Sequence, residues 1–364
     1  MPRPETVPRS MRAVVLDEFG APDMLRLRDV PTPVPAPGEV VVRVAAVEVS
    51  RTRDLGTRSG KHPFSQAVRL PHVLGGHCSG TVVGAGDGVP RDLVGRRVAV
   101  MGHHTCGHCD SCRSGADEAC EGLRLLGIHR WGSYAQYTSM PQECVHPVPD
   151  DLDLHGAAAM AATGPVGLTQ LRRARLQAGD SIVLPGATGA LARTIVALTR
   201  KLDVRVIGLS RSVTGRAENL VVLDAGREDL ADAILAAAGG PPAAAIDNVC
   251  APDTFERYFP VLAGGARIVV SGAIGHPALP VLNVPARELY SRNLSLLGVR
   301  SHSAAVATEF WQLVRDGFRL DVEAVRAHPL SDAATVHTKI ADGVLTGHNV
   351  LVPPTATDRQ EVPE

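Results

Sequence analysis

Residues 179–212, GDSIVLPGATGALARTIVALTRKLDVRVIGLSRS, narrow the possible folds more than any other part of the chain. A short apolar run, Ser181 to Leu184, enters a glycine-bearing turn. An Ala-rich helical segment follows, and then a second apolar run that ends at Ser210. Strand, turn, helix and strand at this spacing make a parallel pair with a crossover, and parallel sheets carry helices over their faces. The alternation recurs downstream in AAIDNV and ARIVVSGA. From about residue 155 the sequence therefore predicts an α/β unit with a doubly wound parallel sheet.

The turn itself, Gly186-Ala187-Thr188-Gly189-Ala190-Leu191-Ala192, lies between strand and helix. A helix beginning there points its first amide groups toward a pyrophosphate, the pattern of a dinucleotide site, whereas a bare tight turn in an empty sheet is the plainer alternative. The second strand closes on Ser210 and Arg211, where an NAD site would want a carboxylate for the ribose 2′-hydroxyl. A hydroxyl followed by a guanidinium suits a 2′-phosphate, so NADPH is the expected cofactor, with a solvated surface arginine as the alternative for Arg211. Asn248 after the strand AAID, and Ser271, Gly272 and Ala273 at the end of ARIVVSGA, fall at the carboxyl edge of the sheet and are further cofactor candidates.

Before residue 155 the texture differs. MRAVVLDEFG and PTPVPAPGEVVVRVAAVEV alternate β-rich runs with Pro/Gly turns and read as a mostly β domain. Within it CGHCDSCRSGADEAC sets Cys106, Cys109, Cys112 and Cys120 in the order C-x2-C-x2-C-x7-C. Four thiolates closing on one loop suit a tetrahedral zinc with no open position, a structural Zn²⁺, in preference to a disulfide pair in a reducing compartment. His103, His104 and His108 lie nearby, but this spacing needs none of them.

Composition sets the outer limits. In 364 residues the formal net charge is −1, which gives no general attraction to nucleic acid or anionic membrane. No run of 18 apolar residues and no charged-then-apolar leader is present, so a cytoplasmic protein with no membrane span is expected. Residues 1–10 form a Pro/Arg-rich arm and 355–364 a polar tail, both expected to be disordered.

These motifs together resemble the medium-chain dehydrogenase/reductase superfamily, the zinc alcohol dehydrogenases and quinone oxidoreductases. The resemblance covers roughly residues 11 to 353. It is carried by MRAVVLDEFG, PAPGEVVVRVAA, the glycine frame from Gly75 to Val89, the cysteine lobe at 103–121, WGSYAQYT, the Gly186 turn, LAGGARIVVSGA and the closing GHNVLVP. It implies a GroES-like, mostly β substrate domain from residues 11–155 and 300–354, a Rossmann NADP(H) domain at 156–299, and a cleft where they meet. It also implies homodimers through the edge of the cofactor sheet, near LSLLGV.

In zinc-dependent members the glycine frame reads Gly-His-Glu, with the histidine a catalytic zinc ligand. Here Gly76 takes the ligand position and His77 the glutamate's. The resemblance puts one cysteine ligand at Ser50 and the other between Ala159 and Ala162, where every residue is Ala or Met. One histidine cannot hold Zn²⁺, so the structural zinc is expected to remain and the catalytic zinc to be absent. His77 then becomes either a proton donor or a packing residue that fills the space. Ser50 and Thr52 become hydroxyls able to bind a substrate oxygen, with backbone capping the alternative for Ser50, and Arg51 and Arg53 are options for an anionic group.

Hydride transfer without a Lewis acid suits acceptors that spread the incoming charge, such as conjugated alkenes or quinones. The expected function is NADPH-dependent reduction of a small molecule of that kind. Two other readings stay open: carbonyl or imine reduction with His77 or a hydroxyl in place of zinc, and a non-redox cyclase, lyase or nucleotide-binding role on the same scaffold.

Overall fold

The structure, a computed structural model, describes residues 7–272, 280–321 and 325–355. The chain forms two compact units, Met1–Ala162 with Ala307–Glu364, and Thr163–Val306. Both divisions fall inside helices, Leu154–Ala174 and Ala304–Arg315, rather than near residues 155 and 300 where the composition changes. Composition marks where a helix begins, but packing decides the unit to which each turn belongs. Ala158, in the second turn of Leu154–Ala174, packs with Ala46 and Val350 of the first unit.

The first unit is built on a seven-stranded sheet. Its strands run in the order Val145–Pro147, Arg97–Met101, His77–Ala85, Glu39–Glu48, His348–Val352 and Val325–Pro329, with Tyr137–Pro141 also paired to Glu39–Glu48. Val350 faces Glu48 across the antiparallel pair, so the C-terminal strand completes a sheet begun near the N-terminus. A three-stranded sheet, Leu25–Pro31, Ser10–Leu16 and His72–Val73, accompanies it. β-Branched residues dominate these strands, and their buried members, including Val14, Val40, Val42, Val98 and Val100, form one core with Leu16, Leu74 and Tyr134.

The second unit holds a sheet in the order Gly215–Ala217, Leu220–Asp224, Arg205–Ser210, Ser181–Pro185, Ala244–Asp247, Arg267–Val270 and Ser295–Gly298. All neighbours are parallel except the first pair. Numbering the six parallel strands along the chain gives the order 3-2-1-4-5-6 of a doubly wound Rossmann sheet. The first strand is buried at every position, as required of a central strand covered on both faces. Val183, Ile207, Ala245 and Ile268 meet Leu230, Ile234, Phe255 and Tyr258 in the core beneath. No helix among the described residues is long and apolar enough to cross a membrane.

Candidate functional site

After the strand Glu39–Glu48 the chain turns through a π-helical segment, Arg51–Leu55. A π-turn widens the helix by one residue and re-aims the side chains it carries. Ser50 opens the segment as a cap, its Oγ accepting from the Arg53 amide at 3.2 Å. Its hydroxyl also lies 3.3 Å from Thr52 Oγ1, so these two candidate groups are brought together. Arg51 turns away, donating to the carbonyls of Ile340 and, at 3.5 Å, Ala341. There it caps the last turn of Ala333–Ala341.

Arg53 turns inward and is only 8% exposed. Its Nη2 donates to the carbonyl oxygens of Gly102 at 3.0 Å and Leu126 at 2.6 Å, and its Nη1 to His77 Nε2 at 2.8 Å. The guanidinium lies against Gly76: a Cβ built there would stand 2.4 Å from Cζ and Nε and 2.5 Å from Nη1. Arg53 and any side chain at position 76 compete for one volume, and that volume is where the resemblance places a metal ligand. Burial lowers the Arg53 pKa to about 10, against the opposing attraction of Asp54. The group stays a cation at neutral pH.

His77 is 6% exposed and opens the strand His77–Ala85. A guanidinium has no lone pair, so Nε2 must accept in the 2.8 Å contact, which leaves the imidazole neutral with its proton on Nδ1. The amide of Gly102, 3.4 Å from Nδ1, is also a donor, and because a neutral imidazole accepts at only one nitrogen the shorter Arg53 contact takes that role.

Residues that the sequence did not flag surround this pair. Asp54 is buried and accepts from the amides of Ser50 at 2.8 Å and Gly75 at 3.3 Å. Burial raises its pKa to about 6, opposed by those amides and by Arg53. Tyr134 and His337 share a buried bond of 2.9 Å, and Glu48 and His348 another of 3.1 Å. The rings of His62 and His129 both pack near Phe64, with centroids 5.7 and 5.9 Å from it. Burial, followed by the charge of Arg53, lowers the His62 pKa to about 4. The His129 pKa is also lowered, by burial and by the charges of Arg124 and Arg53.

In the cysteine lobe the four candidate thiols converge, with every Sγ within 4.8 Å of the others. Sγ separations of 3.5 Å for Cys109–Cys112 and Cys106–Cys120, and 3.9 Å for Cys106–Cys112, match the roughly 3.8 Å edge of a tetrahedron with Zn–S near 2.3 Å. Backbone N–H groups of His108 and Cys109 bring the Cys106 thiol down to about 6, while burial and the neighbouring thiols push Cys112 up to about 12. The cluster cannot hold four thiolates without a cation, and a structural zinc fits it. The remaining cysteines, Cys78, Cys144 and Cys250, are buried, and burial pushes each to about 12.

The glycine turn after Ser181–Pro185 is equally defined. Gly186 has φ +74, and a Cβ there would stand 2.6 Å from Val249 Cγ2, so only glycine fits. Gly189 caps the helix Ala190–Arg200 with no side chain over its first amides, leaving them for a phosphate. Ala187 is buried against the strand Arg205–Ser210, where a Cβ at Gly208 would reach its own at 2.5 Å. Thr188 and Leu191, at either end of the bend into the helix, are half-buried.

Ser210 Oγ accepts from the amides of Ser212 at 3.2 Å and Val213 at 3.3 Å, and Arg211 beside it is exposed. Asn248 is engaged in a reciprocal amide pair with Gln170, at 2.7 and 3.2 Å. The Ser271 amide donates to the Asp247 carbonyl at 3.0 Å, and Gly272 follows with φ +92. Ala273 lies outside the described residues.

The family described as the alcohol dehydrogenase GroES-like domain matches residues 36–150. The alcohol dehydrogenase of Schizosaccharomyces pombe is 25% identical over 95% of this chain and 99% of its own length. The crystal structure of AibC superimposes with a TM-score of 0.84 at 28% identity, covering 95% of this chain and 96% of that one. An NAD-dependent alcohol dehydrogenase does so with a TM-score of 0.82 at 27% identity, covering 94% and 99%. Fold and relatives define an oxidoreductase. The chain belongs to the medium-chain dehydrogenase/reductase superfamily, among its zinc alcohol dehydrogenase-like members.

Proposed function

We propose that this chain is an NADPH-dependent reductase that works without a catalytic zinc and reduces a conjugated alkene or quinone of a small molecule. The observation that carries the reading is the Arg53 guanidinium packed against Gly76, a fixed cation in the volume that a metal-binding side chain at position 76 would need. Among the described residues, the four cysteines are the only group of three or more His, Cys, Asp or Glu close enough to share a metal ion.

Bound NADPH would supply a hydride to the β-carbon of the acceptor. The alkene π pair then moves toward the carbonyl oxygen, and a proton adds at the α-carbon. Gly186, Ala187, Thr188, Gly189, Ala190 and Leu191 would hold the pyrophosphate. Ser210 and Arg211 would meet the 2′-phosphate, with no carboxylate on that strand end to repel it. Ser50 and Thr52 offer hydroxyls to the substrate. His77, neutral and bonded to Arg53, is better placed to orient that guanidinium than to deliver a proton from Nε2. We further propose one structural zinc per chain, a cytoplasmic location, and a homodimer through the outer strand Ser295–Gly298.

The test is oxidation of NADPH and NADH, followed by absorbance, with a panel of enones, quinones and simple ketones, together with metal analysis. Turnover of enones or quinones with NADPH preferred, at one zinc per chain, is expected. Turnover confined to ketones, or two zinc ions per chain, overturns the reading.

A further inference from the structure

The cysteine lobe joins the first unit through a neck that touches the candidate site. The chain enters the lobe after Gly102 and leaves it at Leu126, and the Leu126 amide donates to the Gly102 carbonyl at 3.0 Å. Beyond that bond His103 pairs with Leu125 and His104 with Arg124. Cys106, Cys109, Cys112 and Cys120 all lie within the loop that this neck closes.

Both ends of the neck press on the glycine segment that precedes His77. A Cβ at Gly102 would overlap the carbonyl oxygen of Gly76, and one at Gly127 would stand 2.9 Å from that of Gly75. Arg53 completes the junction. One nitrogen, Nη2, donates to the Gly102 carbonyl at 3.0 Å and to the Leu126 carbonyl at 2.6 Å, so a single guanidinium spans the entry and the exit of the lobe. Its Nη1 meets His77 Nε2 at 2.8 Å, and its backbone amide donates to Ser50 Oγ at 3.2 Å. The buried Asp54 carboxylate offsets the charge of Arg53, so the neck carbonyls serve to fix the direction of the guanidinium.

We infer that Arg53 couples the cysteine lobe to the candidate site, so that metal occupancy of the four cysteines regulates how Ser50, Gly76 and His77 are set. The inference rests on the proposed reading of that site and names its regulation. A cation held by four thiolates closes the loop and keeps the two neck carbonyls together. When the lobe loosens, Arg53 loses two of its three side-chain acceptors, and a buried guanidinium left with one has reason to move. Its displacement reaches Ser50 through the backbone and Gly76 through the volume that the two share. Linkage is reciprocal, so a change that frees Arg53 must weaken metal binding by the same factor.

The experiment loads the full-length protein with Co²⁺, whose thiolate absorbance reports the lobe directly, and measures affinity by competition with a chelator. Arg53→Met should weaken Co²⁺ about tenfold, roughly the worth of one hydrogen bond to a charged group. Arg53→Lys keeps the charge but lacks the fork that spans two carbonyls, so it should weaken Co²⁺ about threefold. It also keeps the test open if Arg53→Met does not fold.

The reverse direction is read by amide hydrogen exchange, resolved by residue, before and after the metal is removed. The Arg53 amide should exchange at least about tenfold faster in the stripped protein. The Val82 amide, bonded to the Arg96 carbonyl at 3.0 Å in the same unit, should not change. Failure to bind Co²⁺, unchanged affinity in both variants, or unchanged exchange at Arg53 overturns the coupling. Equal acceleration at Val82 also overturns it, because the whole unit would then be opening. Neither readout uses turnover. If both behave as expected but no enone or quinone is reduced, the coupling stands and the proposed reaction falls.

Discussion

At the residue scale the decisive pair is Gly76 and Arg53. The sequence reveals the missing ligand, because a glycine stands where the resemblance wants a histidine. It offers Arg53 only as one option among several for an anionic group, since Arg53 belongs to a polar stretch far along the chain. Only packing brings the two together. If they share one volume, Gly76→Ala should destabilise the fold by about 1–3 kcal/mol, as overpacking does. Removing the obstruction with Arg53→Ala should recover part of that loss in the double variant, read as non-additivity in urea unfolding. Strict additivity would mean that the guanidinium does not occupy the space beside residue 76.

Asp54 gives a second prediction at this scale. Its pKa rises from 3.8 to about 6 in the folded chain, chiefly through burial. Between those values the native state binds more protons than the unfolded state, so this group's contribution falls as pH rises through the window. Above about pH 6 the full cost remains, on the order of 3 kcal/mol for about two pH units at 1.36 kcal/mol each. Asp54→Asn removes the titration but keeps the shape. The stability of the variant relative to the parent should therefore worsen as pH is lowered from 7 to 4. A difference that stays flat with pH would show that the carboxyl does not titrate in this range.

At the element scale, two segments were legible because their chemistry is local. The C-x2-C-x2-C-x7-C spacing specifies a four-thiol cluster whatever surrounds it, and the thiols do converge. The turn from Gly186 to Leu191 lies between a buried strand and a helix, and Gly186 meets a steric demand there that other residues cannot. The π-turn at Arg51–Leu55 and the packing of His62 and His129 near Phe64 were not legible. The first depends on a single extra residue in a bend, and the second on two loops that are distant in sequence.

The two legible elements respond differently to damage. Chelating the proposed zinc should raise hydrogen exchange across residues 103–125 while leaving the strand Ser181–Pro185 protected, since the lobe has its own small core of Leu123, Leu125 and Ile128. Equal loosening everywhere would mean that the lobe is not an independent element. Gly186→Val should weaken NADPH binding at least about tenfold, because φ +74 and the 2.6 Å approach to Val249 both exclude a branched side chain. An unchanged affinity, read by nucleotide fluorescence, would place the cofactor elsewhere.

At the scale of the whole molecule, hydrophobic periodicity carried the architecture: half-buried runs with Pro/Gly turns for the first unit, and short fully apolar strands between helices for the second. What periodicity cannot supply is the fate of a sheet's last strand. Among the described residues Ser295–Gly298 pairs with Arg267–Val270 on one side only, and its residues alternate between half-buried and exposed. Leu296 is 43% exposed, and Tyr290, in the helix just before it, is 87% exposed. An edge strand with unpaired backbone groups and apolar side chains is a template for another strand, and natural proteins cover such edges or charge them. No Lys, Asp, Glu or Pro interrupts residues 295–299. The same edge of a second copy would meet it as a two-fold, self-complementary contact. Light scattering should therefore give twice the chain mass. Leu296→Lys, which sets like charges against each other at the centre of that contact, should shift the protein to monomer with its far-ultraviolet spectrum unchanged. A parent protein that is monomeric at micromolar concentration would leave this edge without a role in assembly.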